Sequence, residues 1–581
     1  MKYQLRNKNY NNETPELALE ELLKDRGIHQ PYEWLHPDDS YEHSPWLFQQ
    51  MVKAVDLLNL HIKHRESNIM VVVDSDLDGY TSGAIIMTLL SNISRGQNIQ
   101  FVLHPNKEHG IVLDDIPDDT SLIIVPDAGS TQVTEHLKLL NNHIDIIILD
   151  HHEYIPNYDY KEYNSHIAIV NSQEENYPNK ALSGAGVALK FAQAYYEKYG
   201  GAFPNKLYAL AACGIIADVM DISYLENKEI ITKGLKYLPE HNFLYQLIVD
   251  SHYNVEKPTP TIKDIGWTIG PNINAIIRLG TIEQKYIIFK ALIAPNILVP
   301  STKKGEEIEV PIYEEAVRFC KNAKKRQTTA VDKSIKIIEN KIEIKDNDKA
   351  IVFIDEDQEL TFELSGLIAN KLLSQYNRPI ILLRHFTEDG VNELRGSVRG
   401  KSVEGLPNLK DALNGITGVE KAEGHAFAFG IGIDNNNFAE FKAHLAAALS
   451  DVDFNVNLYM IDLIAKSSEV NLEIAQIMAR DDIWGHGVDQ PLALLTDIST
   501  DQCEYMGAEQ QHLKINCGQY DVVFFNVPEL TEKLLNNEKY NIDVVGTFSI
   551  DKSYNVGRLQ FMVSDYDLKP YVKKTIWDLT F

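Results

Sequence analysis

Cysteine is scarce in this chain of 581 residues, which has only four, at Cys213, Cys320, Cys503 and Cys517. None of them stands in a CxxC pair, so the sequence supports neither a disulfide framework nor a cysteine-rich zinc site. No apolar run reaches the roughly 18 residues that cross a bilayer, and the first residues lack the apolar stretch of a signal peptide. We therefore expect a soluble, cytoplasmic protein that does not associate with membranes.

Positive charge is also in short supply. The chain has 55 Lys and Arg residues against 83 Asp and Glu residues, and its formal net charge is −28. This sign opposes non-specific attraction to a polyanion, so a nucleic acid would have to follow a local path. Most of the acidic residues are expected on a solvated surface, but some could surround divalent cations, which prefer oxygen ligands.

The length and the apolar pattern predict several folded units. At about 150 residues per domain, the chain suggests roughly three or four of them. Apolar runs occur at residues 69–73, 99–103, 122–125, 144–149 and 167–170. Runs of this kind suit strands that are buried on both faces, and helical patterns lie between them. The alternation predicts an α/β fold with a largely parallel, doubly wound sheet.

Three of these predicted strands end in acidic or imidazole side chains. The seven groups are Asp74, Asp76, Asp78, Asp127, Asp150, His151 and His152. A lone aspartate at a strand end is more often a helix cap or a turn residue. Ligands of open α/β sheets, however, bind beyond the carboxyl ends of the strands, so we expect these groups to converge around a cation. A helical pattern places Asp218 among apolar neighbours, where a metal, an arginine or a backbone cap would have to partner it.

The donor types predict which metal would bind. Mixed carboxylate and imidazole ligands favour Mn²⁺ or Mg²⁺, with zinc as a further candidate. Seven potential ligands exceed the need of one ion, which predicts two ions bridged by one carboxylate. Such a pair binds a phosphate and activates a water, so the predicted reaction is hydrolysis of a phosphoester or phosphoanhydride.

The order of the motifs resembles the DHH phosphoesterase superfamily, and most closely its RecJ-like single-stranded DNA exonucleases. The first four motifs are DSDLDG (74–79), PDAG (126–129), DHH (150–152) and GIIADVMD (214–221). Further motifs are GAGVALKFA (184–192), IGPNINAIIRLG (269–280), GSVR (396–399), GHAFAFG (424–430), WGHG (484–487), QQHLKI (510–515) and DVVGTFSI (543–550). A DHH triplet alone is a weak signal, whereas the ordered set covers almost the whole chain beyond residue 45.

The resemblance implies a domain organisation. It comprises an N-terminal extension (1–44), a parallel-sheet DHH catalytic domain (45–282), a helical connector (283–345), a DHH-associated α/β domain that binds substrate (346–454), and a C-terminal OB-like β domain (455–581). An OB-like groove binds single strands through aromatic stacking and local positive charge. Trp484, Tyr505, Tyr520 and Phe525 are candidate stacking residues, although alternating aromatic residues in small β modules more often belong to the core.

The resemblance also implies roles for individual residues. Metal ligands would be Asp76, Asp78, Asp127, His151 and Asp218, with Asp127 as the bridge, and Asp74 and His152 would either join them or orient a ligand or phosphate. Candidate substrate contacts are Lys107, Asn274, Arg278, Ser397, Arg399, Gly424 and His425, which can donate hydrogen bonds to phosphate or allow close backbone approach. A solvated surface charge is the competing interpretation of each basic residue. The chain departs from many relatives in having Val72 instead of histidine, and Asn272 instead of arginine.

The function implied by the resemblance is metal-dependent exonuclease action on single-stranded DNA, from 5′ to 3′, releasing mononucleotides in recombination, repair or DNA degradation. The implied partners are single-stranded DNA and a helicase or single-strand-binding protein, and the enzyme would be a monomer, with the departures suggesting a phage-encoded homologue. One alternative is a DHH phosphodiesterase for short oligonucleotides or cyclic dinucleotides, which would not need the β module. Another is a non-catalytic RecJ-like binding subunit, a class that typically loses metal ligands.

Overall fold

The computed structural model describes residues 1–105, 108–153, 158–174, 176–252, 255, 257–303, 306–342, 344–345, 348–388, 391–454, 458–552 and 557–571. The chain divides into two compact units. The larger comprises Leu5–Lys321 and Ile461–Phe581, and the smaller comprises Met1–Gln4 and Asn322–Met460. Among the residues described, no helix combines the length and apolarity that a bilayer crossing requires.

The N-terminal segment contains two buried aromatic side chains that make hydrogen bonds. Its elements are β1 (Lys2–Leu5), α1 (Pro15–Lys24), α2 (Pro31–Leu35) and α3 (Met51–Lys63). Tyr10 is buried and donates its hydroxyl to Asp25, 2.6 Å away. The buried indole of Trp34 donates its N–H to the carbonyl of Ile222 at 2.9 Å. The first hydrogen bond lies within this segment, and the second joins α2 to Ile222; all four residues belong to the larger unit.

The core of the larger unit is a five-stranded sheet in which every strand pair is parallel. Its elements are β2 (Asn68–Val73), α4 (Leu77–Ile93), β3 (Asn98–Leu103), β4 (Leu122–Pro126), α5 (Val133–Asn141), β5 (Asp145–Asp150) and β6 (Ile167–Asn171). Every residue of β4 and β6 is buried, which explains their continuous apolar runs. The predicted parallel sheet is therefore confirmed.

The order of the strands reverses beside β2. The sheet order is β3-β2-β4-β5-β6, so the chain moves from β2 to β3 on one side and then crosses to β4 on the other. The carboxyl ends of β2 and β4 therefore flank the crevice where open α/β sheets bind ligands. Residues 74–78 follow β2, and Asp127 follows β4.

Helices complete this part of the larger unit. They are α6 (Gly184–Tyr199), α7 (Leu207–Ala217), α8 (Leu225–Tyr237), α9 (Asn242–Ser251), α10 (Ile262–Asp264), α11 (Gly270–Leu279) and α12 (Ile282–Ile293). Helix α7 is apolar on all sides, and each residue from Leu207 to Ile215 is buried, as expected of a core helix. A π-helical turn, Ile265–Ile269, joins α10 to α11.

A hairpin interrupts the segment that was predicted to be mostly helical. Strands β7 (Leu298–Lys303) and β8 (Glu306–Pro311) pair in antiparallel fashion and precede the long helix α13 (Ile312–Lys341). The first four residues of β8 are exposed. The hairpin was not predicted because exposed strands need no apolar alternation.

The smaller unit contains a mixed sheet with helices. Its elements are β9 (Ile351–Ile354), α14 (Ser365–Tyr376), β10 (Ile380–Glu388), β11 (Val391–Arg399), α15 (Leu409–Asn414), β12 (Val419–His425), β13 (Ala428–Asp434) and α16 (Phe438–Ala448). The sheet order is β12-β13-β11-β10-β9, with only the β9–β10 pair parallel. Leu394, Ile431 and Phe441 belong to its buried apolar core.

The C-terminal part of the chain is a β module with two short helices. Its elements are β14 (Leu458–Ile461), β15 (Leu463–Lys466), α17 (Leu472–Met478), β16 (Ala493–Ser499), β17 (Cys503–Met506), β18 (His512–Asn516), β19 (Tyr520–Phe524), α18 (Pro528–Leu535), β20 (Tyr540–Asp551) and β21 (Arg558–Pro570). β14 pairs with β1, and the remaining strands form a sheet in the order β15-β16-β20-β21-β19-β18-β17. The predicted C-terminal OB-like β fold is therefore confirmed, and it contains two short helices, α17 and α18, that were not predicted.

Candidate metal centre

Acidic and imidazole side chains converge at the carboxyl edge of the parallel sheet. Three groups of potential ligand atoms, each within 4.8 Å of one another, are Asp74, Asp76 and Asp127; Asp127, His151 and His152; and Asp78, His151 and Asp218. Asp127 and His151 each belong to two of these groups. The structure therefore brings together side chains from four separate segments, with Asp127 and His151 at their overlap.

The imidazole of His151 lies among three carboxylates. Its Nε2 is 3.2 Å from Oδ1 of Asp127, 3.4 Å from Oδ2 of Asp218 and 3.8 Å from Oδ2 of Asp78. Asp78, Asp127 and His151 are buried. No described residue donates a hydrogen bond to Oδ1 of Asp127. Leaving such an oxygen buried without a donor is costly, and a bound cation would satisfy it.

Backbone N–H groups hold the carboxylate of Asp78. Gly184 donates to Oδ2 at 2.8 Å and Ala185 donates to Oδ1 at 3.0 Å, both from the first turn of α6. The N-terminus of a helix stabilises negative charge, so this arrangement orients Asp78 without neutralising it fully. Asp76 is the N-cap of α4, where its Oδ1 accepts the N–H of Gly79 at 3.0 Å. Asp76 is therefore a helix cap, as a lone aspartate at a strand end often is, and it is also a member of the cluster.

Left-handed backbone turns direct two members of the cluster. Asp127 has a φ of 69°, and its N–H donates to the carbonyl of Leu149 at 2.7 Å, one residue beyond the end of β4. Val219, which follows Asp218, has a φ of 57°. This conformation is strained for a β-branched residue, and such strain is concentrated at functional sites.

The clustered carboxylates raise one another's pKa values. Burial and the neighbouring charges of Asp74 and Asp78 raise the pKa of Asp76 to about 6. Burial and the charge of Asp78 raise the pKa values of Asp127 and Asp218 as well. A divalent cation favours the ionised forms and would offset this repulsion. The oxygen-rich donor set with imidazole therefore suits Mn²⁺ or Mg²⁺.

Asp150 does not join these groups, contrary to the expectation that all seven side chains surround a cation. It accepts the backbone N–H of Ser130 at 3.0 Å and of His151 at 2.7 Å, and its Oδ1 lies 2.8 Å from Nδ1 of His152. Burial opposes ionisation, but the hydrogen bond and charge of His152 outweigh it and hold the pKa of Asp150 well below its usual value. Asp150 thus shapes the turn that presents the two histidines.

His152 faces solvent at the edge of the cluster. Its side chain is 62% exposed. The hydrogen bond with Asp150 raises the pKa of His152 to about 9, although burial opposes the shift. In its protonated form the imidazole can donate a hydrogen bond from Nε2 to an anion.

Asp74 has a histidine partner that the sequence alone did not indicate. Nδ1 of His109 lies 2.7 Å from Oδ2 of Asp74, and the N–H of Gly110 donates to Oδ1 at 2.9 Å. His109 follows β3, and β3 lies beside β2 in the sheet. This position in the sequence could have indicated that His109 lies near Asp74, which follows β2. Val72 is buried in an apolar core cluster.

Two predicted substrate contacts, Asn274 and Arg278, lie on α11 in the same unit as the cluster. Burial lowers the pKa of Arg278, whereas the charge of Asp76 opposes the shift. The guanidinium is therefore within electrostatic range of the cluster. Lys107 lies outside the described residues.

The other four predicted contacts lie in the smaller unit. Oγ of Ser397 is 2.9 Å from Oγ of Ser365, the first residue of α14. A Cβ atom built on Gly366 would lie 2.5 Å from Nη2 of Arg399, so this guanidinium packs against the first turn of the same helix. Arg399 and His425 both pair with Ala428, which puts them in one row across three strands. Gly424 precedes His425 with a φ of 127°.

The candidate stacking residues of the C-terminal module differ in exposure. Trp484 and Tyr520 are buried, and Tyr505 is partly exposed. Phe525 is 57% exposed and makes an edge contact with His512. The core interpretation therefore holds for Trp484 and Tyr520, whereas Phe525 is exposed to solvent.

Comparison with known proteins matches two stretches of the chain to recognised families, and the first stretch carries all the clustered side chains except Asp218. The DHH family, N-terminal domain, matches residues 68–215, and the RecJ OB domain matches residues 461–565. A Bacillus subtilis protein named as an SPbeta prophage-derived single-strand DNA-specific exonuclease, YorK, is 34% identical over 558 residues, which cover 94% of each chain. The single-stranded-DNA-specific exonuclease RecJ of Bacillus subtilis is 27% identical over 561 residues, 92% of this chain and 65% of its own length.

A solved structure has the same fold. RecJ from Thermus thermophilus in complex with Mn²⁺ matches with a TM-score of 0.71 at 21% identity, covering 98% of this chain and 80% of that one. The matched motifs, the extent of the 34% identity and the shared fold agree with one another. The chain belongs to the RecJ-like exonucleases of the DHH family.

Proposed function

We propose that this protein is a metal-dependent exonuclease that hydrolyses single-stranded DNA to mononucleotides. The observation that carries the proposal is the overlap of three potential ligand groups at Asp127 and His151. Relatives named as single-strand DNA-specific exonucleases, one of them aligned over 94% of the chain, support the choice of substrate. Family membership supports a 5′ to 3′ direction, action as a monomer in the cytoplasm, and a role in recombination, repair or DNA degradation on strands supplied by a helicase or single-strand-binding protein.

We assign two ions, Mn²⁺ or Mg²⁺, to the cluster. The assigned ligands are Asp76, Asp78, Asp127, His151 and Asp218, with Asp127 shared between the ions. Bound in pairs, such ions lower the pKa of a water and stabilise the charge that develops on a phosphoryl group. The overlap of the ligand groups supports a shared carboxylate.

The remaining side chains of the centre have supporting roles. Asp74 belongs to the first ligand group and is held by His109 and Gly110, so it orients the neighbouring carboxylates. The exposed side chain of His152 lies where it can contact a phosphate oxygen. Arg278, on α11, adds positive charge beside an otherwise acidic cluster.

The smaller unit carries the elements of a phosphate site. Arg399 lies against the first turn of α14, and Ser397 contacts Ser365 at the start of the same helix. Guanidinium, hydroxyl groups and the N-terminus of a helix all bind anions. We assign this site, with His425 and the Gly424 backbone, to the terminal phosphate of the strand.

The direct test is digestion of one sequence as a single strand, as a duplex and as a dinucleotide, labelled at either end. We expect mononucleotides from the 5′ end of the single strand with Mn²⁺ or Mg²⁺, little cleavage of the duplex, and no cleavage with a chelator. Preferential cleavage of the dinucleotide would instead indicate the oligonucleotide phosphodiesterase. Tight strand binding without cleavage under any metal would indicate the binding subunit.

Replacing Arg399 with glutamine tests the phosphate site. We expect KM for a 5′-phosphorylated strand to rise by about 10-fold or more, because a charge-assisted hydrogen bond to phosphate contributes about 1.5–3 kcal/mol. KM for a 5′-hydroxyl strand should change much less. Arg399→Lys keeps the charge without the planar fork and should give an intermediate KM. Equal effects of Arg399→Gln on both strands would contradict the assignment.

A further inference from the structure

A large exposed aromatic side chain, on a turn that lies against ligand-bearing segments, takes no part in the metal or phosphate binding described above. The side chain of Trp267 is 79% exposed, whereas Trp34 and Trp484 are buried. Trp267 lies in the π-helical turn Ile265–Ile269, between α10 and α11. Turns of this type within α-helical segments are frequent at functional sites.

The π-helical turn is held against the segments that carry metal ligands. A Cβ atom built on Gly266, which precedes Trp267, would lie 3.6 Å from Cγ2 of Ile216, in the segment that ends at Asp218. At the far end of the turn, a Cβ atom on Gly270 would lie 4.0 Å from Cδ2 of Leu77, inside the DSDLDG motif. The backbone at both ends of the turn therefore lies close to segments that carry candidate ligands.

Two further side chains, one next to a candidate ligand and one on the helix that continues from the turn, match the chemistry of a nucleotide. Val219, directly after Asp218, is 56% exposed and adds apolar surface. Arg278 lies on α11, the helix that continues from the π-helical turn, and it is within electrostatic range of Asp76. An exposed indole, a guanidinium and a candidate phosphate-binding metal centre together suit a ligand that combines a flat ring with an anionic linkage.

We propose that Trp267 stacks on a nucleobase of the single strand next to the scissile phosphodiester. This inference rests on the proposed function and names a base-binding site for it. Every base has a π face, so the contact would strengthen binding of any sequence. The loss of one such stacking partner weakens binding by about 5- to 100-fold.

The test compares Trp267→Ala and Trp267→Phe in the full-length protein. Binding of a fluorescently labelled single strand is followed by anisotropy in an Asp127→Asn background, and KM and kcat are measured in the active protein with Mn²⁺. We expect Trp267→Ala to raise Kd and KM by about 10-fold, because alanine offers no ring. Trp267→Phe should retain most of the affinity.

Two controls isolate stacking. Tyr32, on α2, is 73% exposed, and Tyr32→Ala should leave Kd and KM unchanged. A strand with abasic sites along its length should bind equally to the proteins with and without the Trp267→Ala substitution, because it has no base to stack.

The outcomes separate this inference from the proposed function. The stacking site would be overturned if Trp267→Ala left the Kd for the base-bearing strand unchanged. It would also be overturned if the substitution weakened binding of the abasic strand as much as binding of the base-bearing strand. Failure of the wild-type protein to cleave DNA with any metal would overturn the proposed function, while the ratio of Kd values would still report on stacking.

Discussion

Asp127→Asn is expected to reduce single-strand cleavage by more than about 100-fold, beyond the 10- to 100-fold typical of groups that only support a ligand. Asp127 belongs to two of the overlapping ligand groups, so its loss affects both assigned ions. Asparagine has nearly the same shape, but it is neutral and places an amide N–H₂ or a weaker oxygen ligand where a carboxylate stood. The measurement is kcat/KM on a labelled single strand with saturating Mn²⁺.

The same substitution has a second expected effect, on stability without metal. Burial and the charges of the other aspartates disfavour ionised Asp127, as its raised pKa shows. A neutral amide removes this repulsion, so the Tm of the metal-free variant should equal or exceed that of the wild type. Asp159, whose side chain is 63% exposed, provides the matched control, and Asp159→Asn should leave activity and Tm unchanged. An Asp127→Asn protein with near wild-type kcat/KM would refute the ligand assignment.

Gly214→Ala is expected to disable the centre with a single methyl group. A Cβ atom at this position would lie 2.1 Å from Oδ1 of Asp78 and 2.5 Å from Cβ of Ala185. Neither neighbour can move freely, because Asp78 accepts N–H groups from Gly184 and Ala185, and Gly214 lies in the buried helix α7. The carboxylate must therefore shift away from its position in the cluster.

The expected results are a loss of activity of more than about 100-fold and a destabilisation of about 1–3 kcal/mol, the usual cost of overpacking. Activity with Mn²⁺ and denaturant unfolding measure the two effects separately. Gly415→Ala is the matched control, because a Cβ atom there would meet nothing within 4 Å and its φ of −88° suits alanine. Full activity and unchanged stability of Gly214→Ala would show that Asp78 need not stay in place.

The parallel sheet could be predicted because strands that are buried on both faces consist of continuous apolar runs, which are visible in the sequence. Strands β2 to β6 coincide with the apolar runs, and the switch in strand order brings residues 74–78 and Asp127 to one crevice. The hairpin β7–β8 and the helices α17 and α18 were not predicted. The strand β8 is largely exposed, and α17 spans only 7 residues. Neither therefore contains enough regularly spaced apolar residues to be recognised in the sequence.

Within the site, sequence could identify the kinds of groups but not their partners. Asp127 and Asp150 both follow buried strands, yet one enters the cluster and the other accepts backbone N–H groups. The two have the same chemistry, and only the direction of each carboxylate distinguishes them. His109 and Trp267 were missed for a similar reason, since contact with Asp74 and exposure to solvent are properties of the folded chain.

The most direct test of the central claim is a Mn²⁺ binding titration of the metal-free protein, followed by electron paramagnetic resonance, with wild type and Asp127→Asn side by side. We expect the wild type to bind two ions, and Asp127→Asn to lose at least one of them or to bind both far more weakly. Identical binding curves for the two proteins, or no binding by the wild type, would contradict the assignment of a shared metal centre to Asp127.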